Sequence, residues 1–358
     1  MKKFIMIIAI AIMAILSQTQ YGSICYAKII TVSNHSGDIA MYNSLPTAIS
    51  SASAGDSIYV FPSPTSYGDI TINKKLTLMG AGYYSTTTYT TVIASITLQS
   101  CSNSNIYGIS VPVIVCSSDI KNLVIARCYI SYYITLKGSN ITLINNIITV
   151  GDGYPNSALV GFVNIGYSDS VQISNNIFIH KTSATSSGYD CGLMNYSNKS
   201  SVIISNNLFF NQSNRTTCFV DISNANVDNN IFYKEDPYGL SHCYTNNNLV
   251  FNGTDSLPYG DNSGENNINS KDPEFVNMQS LTYFTFWGDY HLKDTSPGKN
   301  AGTDSTDVGI YGSPEYWPED KGYTGKPPLP LITNINLINK VVGENSKVRV
   351  KVQAIKAK

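Results

Sequence analysis

The sequence predicts an all-β solenoid, in which short parallel strands stack coil upon coil around a narrow apolar core. Three observations predict it: a recurring octet of alternating apolar residues, an Asn-Asn pair at one phase of that octet, and no helix-forming runs between octets. The octets are ITLINNII (141–148), VQISNNIF (171–178), VIISNNLF (202–209) and ANVDNNIF (225–232), with weaker copies LVIARCYI (123–130) and CYTNNNLV (243–250).

The composition describes a polar but weakly charged surface. The 358 residues include 37 Asn and 25 Tyr, whereas only 13% are charged and the net charge is −1. Globular chains usually carry about 25% charged residues. This excludes a nucleic-acid binder that works through a basic field, and it excludes a chain disordered by its own charge. No nucleic-acid partner is expected.

The first 27 residues predict a secretory signal peptide. Lys2 and Lys3 precede an apolar run over 4–16, and Cys25-Tyr26-Ala27 places small residues at a cleavage site. A membrane anchor is the alternative, but the run is shorter than the roughly 20 residues that span a bilayer. A lipid anchor on Cys25 is disfavoured because Ile24 is bulky. We therefore expect cleavage after Ala27, a secreted or cell-envelope location, and no later membrane span.

A short helix is predicted where the solenoid begins. Leu45, Ala48, Ile49 and Ala52 share one helical face, Ser44 is a good N-cap and Gly55 a stop signal. Such a helix would cover the open end of the core.

The second asparagine of each octet is predicted to support the stack. Strict alternation before the pair makes an extended strand with one apolar face, and Asn ends it because it tolerates left-handed backbone angles. If its amide points inward at every coil, the side chains bond those above and below as a ladder. The ladder residues are Asn146, Asn176, Asn207, Asn230 and Asn248, with Cys128 in the first slot.

Cysteine pairing stays open. Six cysteines remain after cleavage, an even number that permits disulfides in an exported chain. Each one adjoins strand-like residues, so buried thiols are an equally good interpretation. These residues are Cys101, Cys116, Cys128, Cys191, Cys218 and Cys243.

With these motifs the chain resembles the right-handed parallel β-helix, or pectate-lyase-like, superfamily. Residues 31–83 are similar to the amino-terminal segment of secreted β-helix proteins, and four motifs are similar to the carboxy-terminal closing segment. Those motifs are DPEFVN (272–277), DYHL (289–292), SPGKNAG (296–302) and DVGIYG (307–312). The resemblance covers about 31–312 and implies a fold, a right-handed parallel β-helix, rather than a particular chemistry.

The chain is predicted to have four parts: a signal peptide (1–27), the β-helix with its cap and closing segment (28–312), a Pro-rich linker (313–330) and a β-hairpin tail (331–358). From residue 340 onward the tail carries a charge of +5. A basic face that blocks edge pairing is one interpretation. A docking element for an anionic surface polymer or a secretion partner is the other.

A polar loop follows each octet. If these loops occupy the same position in every coil, they would stack into an elongated groove along one side of the solenoid. Tyrosines there could stack on sugar faces. The alternative is ordinary solvated corner loops. The candidate substrate-binding residues are Asp152, Tyr154, His180, Lys181, Arg215, Lys234 and Asp236, and the further tyrosines are Tyr189 and Tyr238.

Catalytic motifs are sparse in the repeat region. A β-eliminating lyase needs a base and a cation, and a glycoside hydrolase needs two carboxyl groups. The repeats have no Asp-Asp pair and no block similar to the family's calcium or catalytic motifs. We therefore predict a non-catalytic exported scaffold that binds extracellular polysaccharide or a surface partner. A polysaccharide lyase or hydrolase and an adhesin-like structural protein are alternatives. No cofactor is expected, and calcium among the acidic residues between 221 and 320 is the alternative.

Overall fold

A computed structural model describes residues 27–83, 89–150, 163–180, 193–195, 201–212, 218–253, 256–313, 317, 331–337 and 350–355. Within them the chain forms one helix, α1 (Leu45–Ser51), and otherwise strands. In chain order the strands are β1 (Ile29–Val32), β2 (Ser57–Val60), β3 (Asp69–Ile72), β4 (Thr77–Gly80), β5 (Ser95–Leu98), β6 (Asn105–Tyr107), β7 (Ser110–Cys116), β8 (Ile120–Ala126), β9 (Tyr129–Ile144), β10 (Ile147–Val150), β11 (Val163–Ser174), β12 (Ile177–His180), β13 (Leu193–Met194), β14 (Val202–Ser205), β15 (Leu208–Asn211), β16 (Phe219–Val220), β17 (Ile222–Ser223), β18 (Asn226–Asp228), β19 (Ile231–Tyr233), β20 (Leu240–Ser241), β21 (Tyr244–Asn246), β22 (Leu249–Phe251), β23 (Ile268–Asn269), β24 (Phe275–Asn277), β25 (Asp289–Leu292), β26 (Leu331–Leu337) and β27 (Val350–Ile355).

Twenty-one of these strands are joined by parallel pairing into one continuous sheet that winds around the core. We divide it into three faces, called sheets 1, 2 and 3, according to the position of each strand in the coil. Sheet 1 contains the strands before each Asn-Asn position, such as β14, β18 and β21, and sheet 2 the strands after it, such as β12, β15 and β19. A third position, sheet 3, holds β3, β5, β7 and later strands. This arrangement confirms the predicted right-handed parallel β-helix.

Residues at equivalent positions stack in register through the coils. In sheet 2, Ile147 pairs with Ile177, then Leu208, Ile231 and Leu249 follow. Inside the tube the rings of Phe178, Phe209 and Phe232 stack, with centroids 4.7 and 5.0 Å apart. Each coil thus adds the same apolar layer, which is how a narrow core is filled without gaps.

The predicted capping helix is present at the amino-terminal end. The Ser44 side chain accepts a hydrogen bond from the backbone N–H of Thr47, and Leu45, Ala48 and Ile49 are buried against the first strands. Apolar residues at this spacing fold as a helix because they then share the face that covers the core.

The two asparagines of each pair have different conformations and face opposite ways. The first one, as in Asn175, Asn206 and Asn229, has a φ of 53 to 60°, the left-handed bend that asparagine tolerates. The second one points into the tube. Asn146 Nδ2 donates to Asn176 Oδ1 at 2.9 Å, and the same contact continues through Asn207, Asn230, Asn248 and Asn267. We call this set the asparagine column.

Residues 271–313, here called the return segment, pack along the outer face of sheet 2. Phe275, Tyr290, Leu292, Val308 and Ile310 are buried there against the outward side chains of the sheet. The sequence predicted this region as a closing segment. The structure shows that it runs back over the side of the tube. It packs there because the outward-facing residues of sheet 2 are apolar, as the inward-facing ones are. Packing continues past Gly312 to Trp317, which is also buried.

The strands of the predicted tail form a separate two-stranded sheet. The strands β26 and β27 pair antiparallel, as the predicted tail hairpin requires, and their connection lies outside the described residues. Cys101, Cys116, Cys128 and Cys243 are buried free thiols, and Cys218 is also buried. Burial raises the pKa of Cys116 and Cys128 to about 12. Cys191 and the predicted signal peptide up to Tyr26 are outside the described residues. No helix in the described ranges is long and apolar enough to cross a membrane.

Candidate functional site

The residues predicted to form the groove follow strands of sheet 2 in the sequence, and the structure describes only some of them. Asp152, Tyr154, Lys181, Tyr189 and Arg215 lie outside the described residues. His180, Lys234, Asp236 and Tyr238 are described. These four do not share one surface.

His180 and Asp236 are in the interior rather than on an open edge. His180 ends β12, is 6% exposed, and its Nδ1 lies 2.8 Å from Oε2 of Glu235, which is 1% exposed. Asp236, the residue after Glu235, and Asn211, which pairs with His180 in the sheet, are also buried. The sequence predicted a solvent-facing row at these positions. The backbone instead bends at Lys234, with a φ of 55°, and this bend turns the carboxyl groups of Glu235 and Asp236 inward.

The buried carboxyl of Glu235 is electrostatically unusual. Burial raises its pKa, the nearby His180 lowers it, and the negative charge of Asp236 raises it again, with a net upward shift. Its Oε1 is buried without a hydrogen-bond partner in the described part of the chain. A buried acid–base pair with a shifted pKa is a typical feature of functional sites.

Lys234 points away from this pair, toward the return segment. Its Nζ donates to the carbonyl oxygen of Leu281 at 2.8 Å and lies 5.6 Å from the centre of the Tyr233 ring. Tyr238 is exposed and stacks on Tyr259 with ring centres 6.2 Å apart. Lys234 therefore belongs to the outer face of sheet 2, where a second site lies.

An open cleft of about 400 Å³ lies between the outer face of sheet 2 and the return segment. Tyr233 forms its inner wall. Asp272, Glu274 and Lys293 provide charged groups, and Gln279 and Asn277 provide amides. A cleft with one aromatic wall and several convergent polar groups is the usual form of a small-molecule or sugar site.

The hydroxyl of Tyr233 is the distinctive group in the cleft. The residue is 2% exposed, and its ring stacks on Phe210 at 4.9 Å and contacts Phe251 and Phe275. Its hydroxyl makes no hydrogen bond with any described residue. Burial, assisted by the charge of Asp272, raises the pKa of Tyr233, so the phenol remains a neutral donor. A rigidly held donor facing a cleft can bind a ligand oxygen without prior rearrangement.

Large apolar side chains continue from the cleft along the return segment. Leu281, Tyr283 and Trp287 are 70%, 54% and 58% exposed, whereas Phe284 and Phe286 between them turn toward the tube. We call these three exposed residues the exposed row. It runs from Lys234 to the rings near Tyr129, four coils away, which is about 19 Å at 4.8 Å per coil.

The cleft was not predicted from the sequence, although a signal was available. Residues 283–287 read YFTFW, an aromatic run that no solenoid coil requires, between the motifs DPEFVN and DYHL. Tyr233 gave no such signal, since it directly follows an ordinary octet and ends the strand β19. In the described residues no three His, Cys, Asp or Glu side chains are grouped so that they could hold a metal ion.

Comparison of the sequence with protein families finds no match, and comparison with curated proteins finds none either. Among solved structures, the chain is similar to pectate lyase Pel9A, with 12% identity and a TM-score of 0.38 over 79% of this chain and 95% of that chain. It is also similar to the Dettilon tailspike protein, with 12% identity and a TM-score of 0.29 over 64% of each chain. The assignment of the fold rests on the parallel stack itself.

Proposed function

We propose that this protein is an exported β-helix that binds an extracellular polysaccharide along the return segment. The cleft beside Tyr233 holds one part of the polymer, and the exposed row supports its continuation. The single observation that carries the proposal is the buried Tyr233, whose hydroxyl has no partner among the described residues, in the wall of an open polar cleft.

The exposed row supports a polymer rather than a small ligand. Aromatic rings stack on the apolar faces of sugars, and large exposed apolar patches on a soluble protein mark binding surfaces. Between Tyr283 and Trp287, the partly buried rings of Phe284 and Phe286 contact each other and the Phe210 side chain of the tube, which holds the row in place without a ligand. Its extent of about 19 Å parallel to the tube axis suits an extended chain.

The polar groups of the cleft suit sugar hydroxyls. Carboxylates accept hydrogen bonds, Lys293 donates, and the amides of Asn277 and Gln279 do both. Export, as predicted from the first 27 residues, would place this surface where such polymers occur. A role for the loop corner around His180 in the same binding is a separate proposal, since most of its predicted residues are not described.

The test is a glycan array followed by calorimetry with the variants Trp287→Ala, Tyr283→Ala and Tyr233→Phe. Loss of an aromatic platform should weaken binding by about five-fold or more, since such contacts contribute about 1 to 3 kcal/mol. Tyr233→Phe removes one oxygen and keeps the ring, so binding should fall by about three- to ten-fold. Its melting temperature should not change, because the hydroxyl bonds no described residue.

The matched control is Tyr238→Ala, an exposed tyrosine that does not line the cleft. If Tyr238→Ala and Trp287→Ala weaken binding equally, the polymer does not use the return segment. If no glycan binds at all, the adhesin-like structural role becomes the better explanation.

A second function, a polysaccharide hydrolase or lyase, is favoured by one observation: Asp272 and Glu274 line the same cleft. Hydrolysis of a glycoside uses an acid and a base of this kind. Incubation of each bound polymer with the protein, followed by assays for new reducing ends and for unsaturated uronate ends, separates a binder from an enzyme. Turnover that disappears in Glu274→Gln would establish the enzyme.

A further inference from the structure

The charge of this chain is divided between two halves of the solenoid. Residues 28–220 contain nine basic and seven acidic side chains, a formal charge of +2. Residues 221–320 contain four lysines and sixteen acidic side chains, a formal charge of −12. The cleft and the return segment belong to the second half. An approaching polymer therefore meets a negative field, which attracts cations and repels anions over about a Debye length.

Within the cleft, two carboxylates have free acceptor capacity. Asp272 Oδ1 accepts from the backbone N–H of Glu274, and one oxygen of Glu274 accepts from the Thr295 hydroxyl. Neither carboxylate lies within ion-pair distance of a described basic side chain, although Lys293 lines the same cleft. The second oxygen of each side chain remains for a ligand, and an ammonium group makes the strongest bond to it.

An ammonium group of the chain already lies next to the cleft, against two of the residues that line it. The Nζ of Lys234 lies over the Tyr233 ring at 5.6 Å and donates to a return-segment carbonyl. Aromatic faces attract cations, and the exposed rings of Tyr283 and Trp287 present the same chemistry to a ligand. A polymer of uronates would instead place its carboxylates against Asp272 and Glu274.

We propose that the polysaccharide bound at this cleft carries free amino groups, as a deacetylated amino-sugar polymer does. The proposal rests on the proposed function and names the ligand class of the same site. Asp272 and Glu274 bind ligand ammonium groups, the Tyr233 hydroxyl binds a ring or hydroxyl oxygen, and the exposed row stacks on the sugar faces.

Three hexamers test the proposal by calorimetry on the full chain: a glucosamine hexamer, its fully N-acetylated counterpart, and a galacturonate hexamer. At low ionic strength the amine hexamer should bind about ten-fold or more tightly than the acetylated one, since a hydrogen-bonded charge contributes about 1.5 to 3 kcal/mol. The preference should shrink several-fold at high salt. The galacturonate hexamer should bind most weakly.

The variants Asp272→Asn and Glu274→Gln should each weaken the amine hexamer by about five- to ten-fold and change the acetylated one by less than about two-fold. Asp221→Asn is the matched control: it removes the same charge in the acidic half, away from the cleft, at a left-handed φ of 54° that asparagine adopts. It should change affinity for the amine hexamer by less than about two-fold.

Equal or tighter binding of the acetylated or galacturonate hexamer would overturn the proposal, and so would an equal loss in Asp221→Asn. The outcomes also separate it from the proposed function. If the acetylated hexamer binds, and Trp287→Ala abolishes that binding, the function holds and only the amine preference fails. If no hexamer binds, or Trp287→Ala has no effect, the binding surface itself is wrong.

Discussion

Inside the tube asparagine side chains bond one another, whereas the asparagines one position earlier leave the tube and bond the return segment. In the interior the contact is the same at every coil, from Asn146 to Asn248. Outside the tube the contact varies: Asn175 donates to the carbonyls of Ile310 and Gly312, whereas Asn229 donates to the Thr303 hydroxyl.

Both sets of asparagines are buried, and the difference lies in what each side chain meets. Inside the tube each amide meets the equivalent residue of the next coil, so one hydrogen-bond geometry repeats. Outside it Asn175, Asn206 and Asn229 meet a backbone of irregular sequence, so their hydrogen bonds differ from coil to coil. One dipeptide thus specifies the stack and also the segment that carries the cleft.

The largest effect is expected in the column. Asn207→Ala removes the Oδ1 that accepts from Asn176 and the Nδ2 that donates to Asn230 and to the Ile173 carbonyl. Buried partners would be left without bonds, so unfolding free energy should fall by about 3 to 5 kcal/mol. Urea denaturation measures this. A loss under about 1 kcal/mol would mean that water replaces the side chain and that the column is dispensable.

The second effect tests the outer face. Ile310 is buried between the return segment and sheet 2, so Ile310→Ala should cost about 2 to 3 kcal/mol. Leu281→Ala, at an exposed position of the same segment, is the control and should change stability by less than about 0.5 kcal/mol. Equal losses from the two variants would show that the segment does not pack on the tube in solution.

The third prediction concerns the buried acid–base pair in the interior. Burial raises the pKa of Glu235, so the folded state favours the protonated carboxyl. Its contribution to stability is complete below the ordinary glutamate pKa and is lost as pH rises through the folded-state pKa. Glu235→Gln stays neutral, so its stability relative to the wild type should increase with pH. Denaturation from about pH 4 to pH 8 measures this. A pH-independent difference would contradict the shift.

The smallest effect is expected from the outer asparagines. Asn206→Gly keeps the left-handed bend and removes one hydrogen bond of 3.4 Å to the Gly309 carbonyl. Stability should fall by at most about 0.5 to 1 kcal/mol. Asn206→Ala should cost about 1 kcal/mol more because alanine resists this bend. If Asn206→Gly is as damaging as Asn207→Ala, the two asparagines do not differ in the way described.

Prediction from the sequence succeeded for the parts that repeat. The octets give strand, bend and inward residue in one phase, and Ser44 with Leu45, Ala48 and Ile49 gives the capping helix. The predicted row of solvent-facing residues differs from the structure at His180 and Asp236, which are buried. Alternation says which side of a strand a residue faces, but it does not say that the bend at Lys234 turns Glu235 and Asp236 inward.

The cleft could not be predicted because it forms between segments far apart in the chain. Tyr233 is an ordinary strand residue in the sequence, and it lines a cleft only because Phe275 and the residues after it cover the same face of the sheet. Apolar residues on both sides of a strand indicate that both sides are buried, but not what covers the outer one.

By itself, the sequence determined the tube: apolar alternation selects strands, asparagine tolerates the bend, and buried amides require partners at the coil spacing. All of these are local or repeat with a fixed period. Only the tertiary structure decided where the return segment lies, and with it the cleft, the exposed row and the burial of His180 with Glu235. Those depend on contacts between distant segments, whose free energies come from shape and burial rather than from any pattern along the chain.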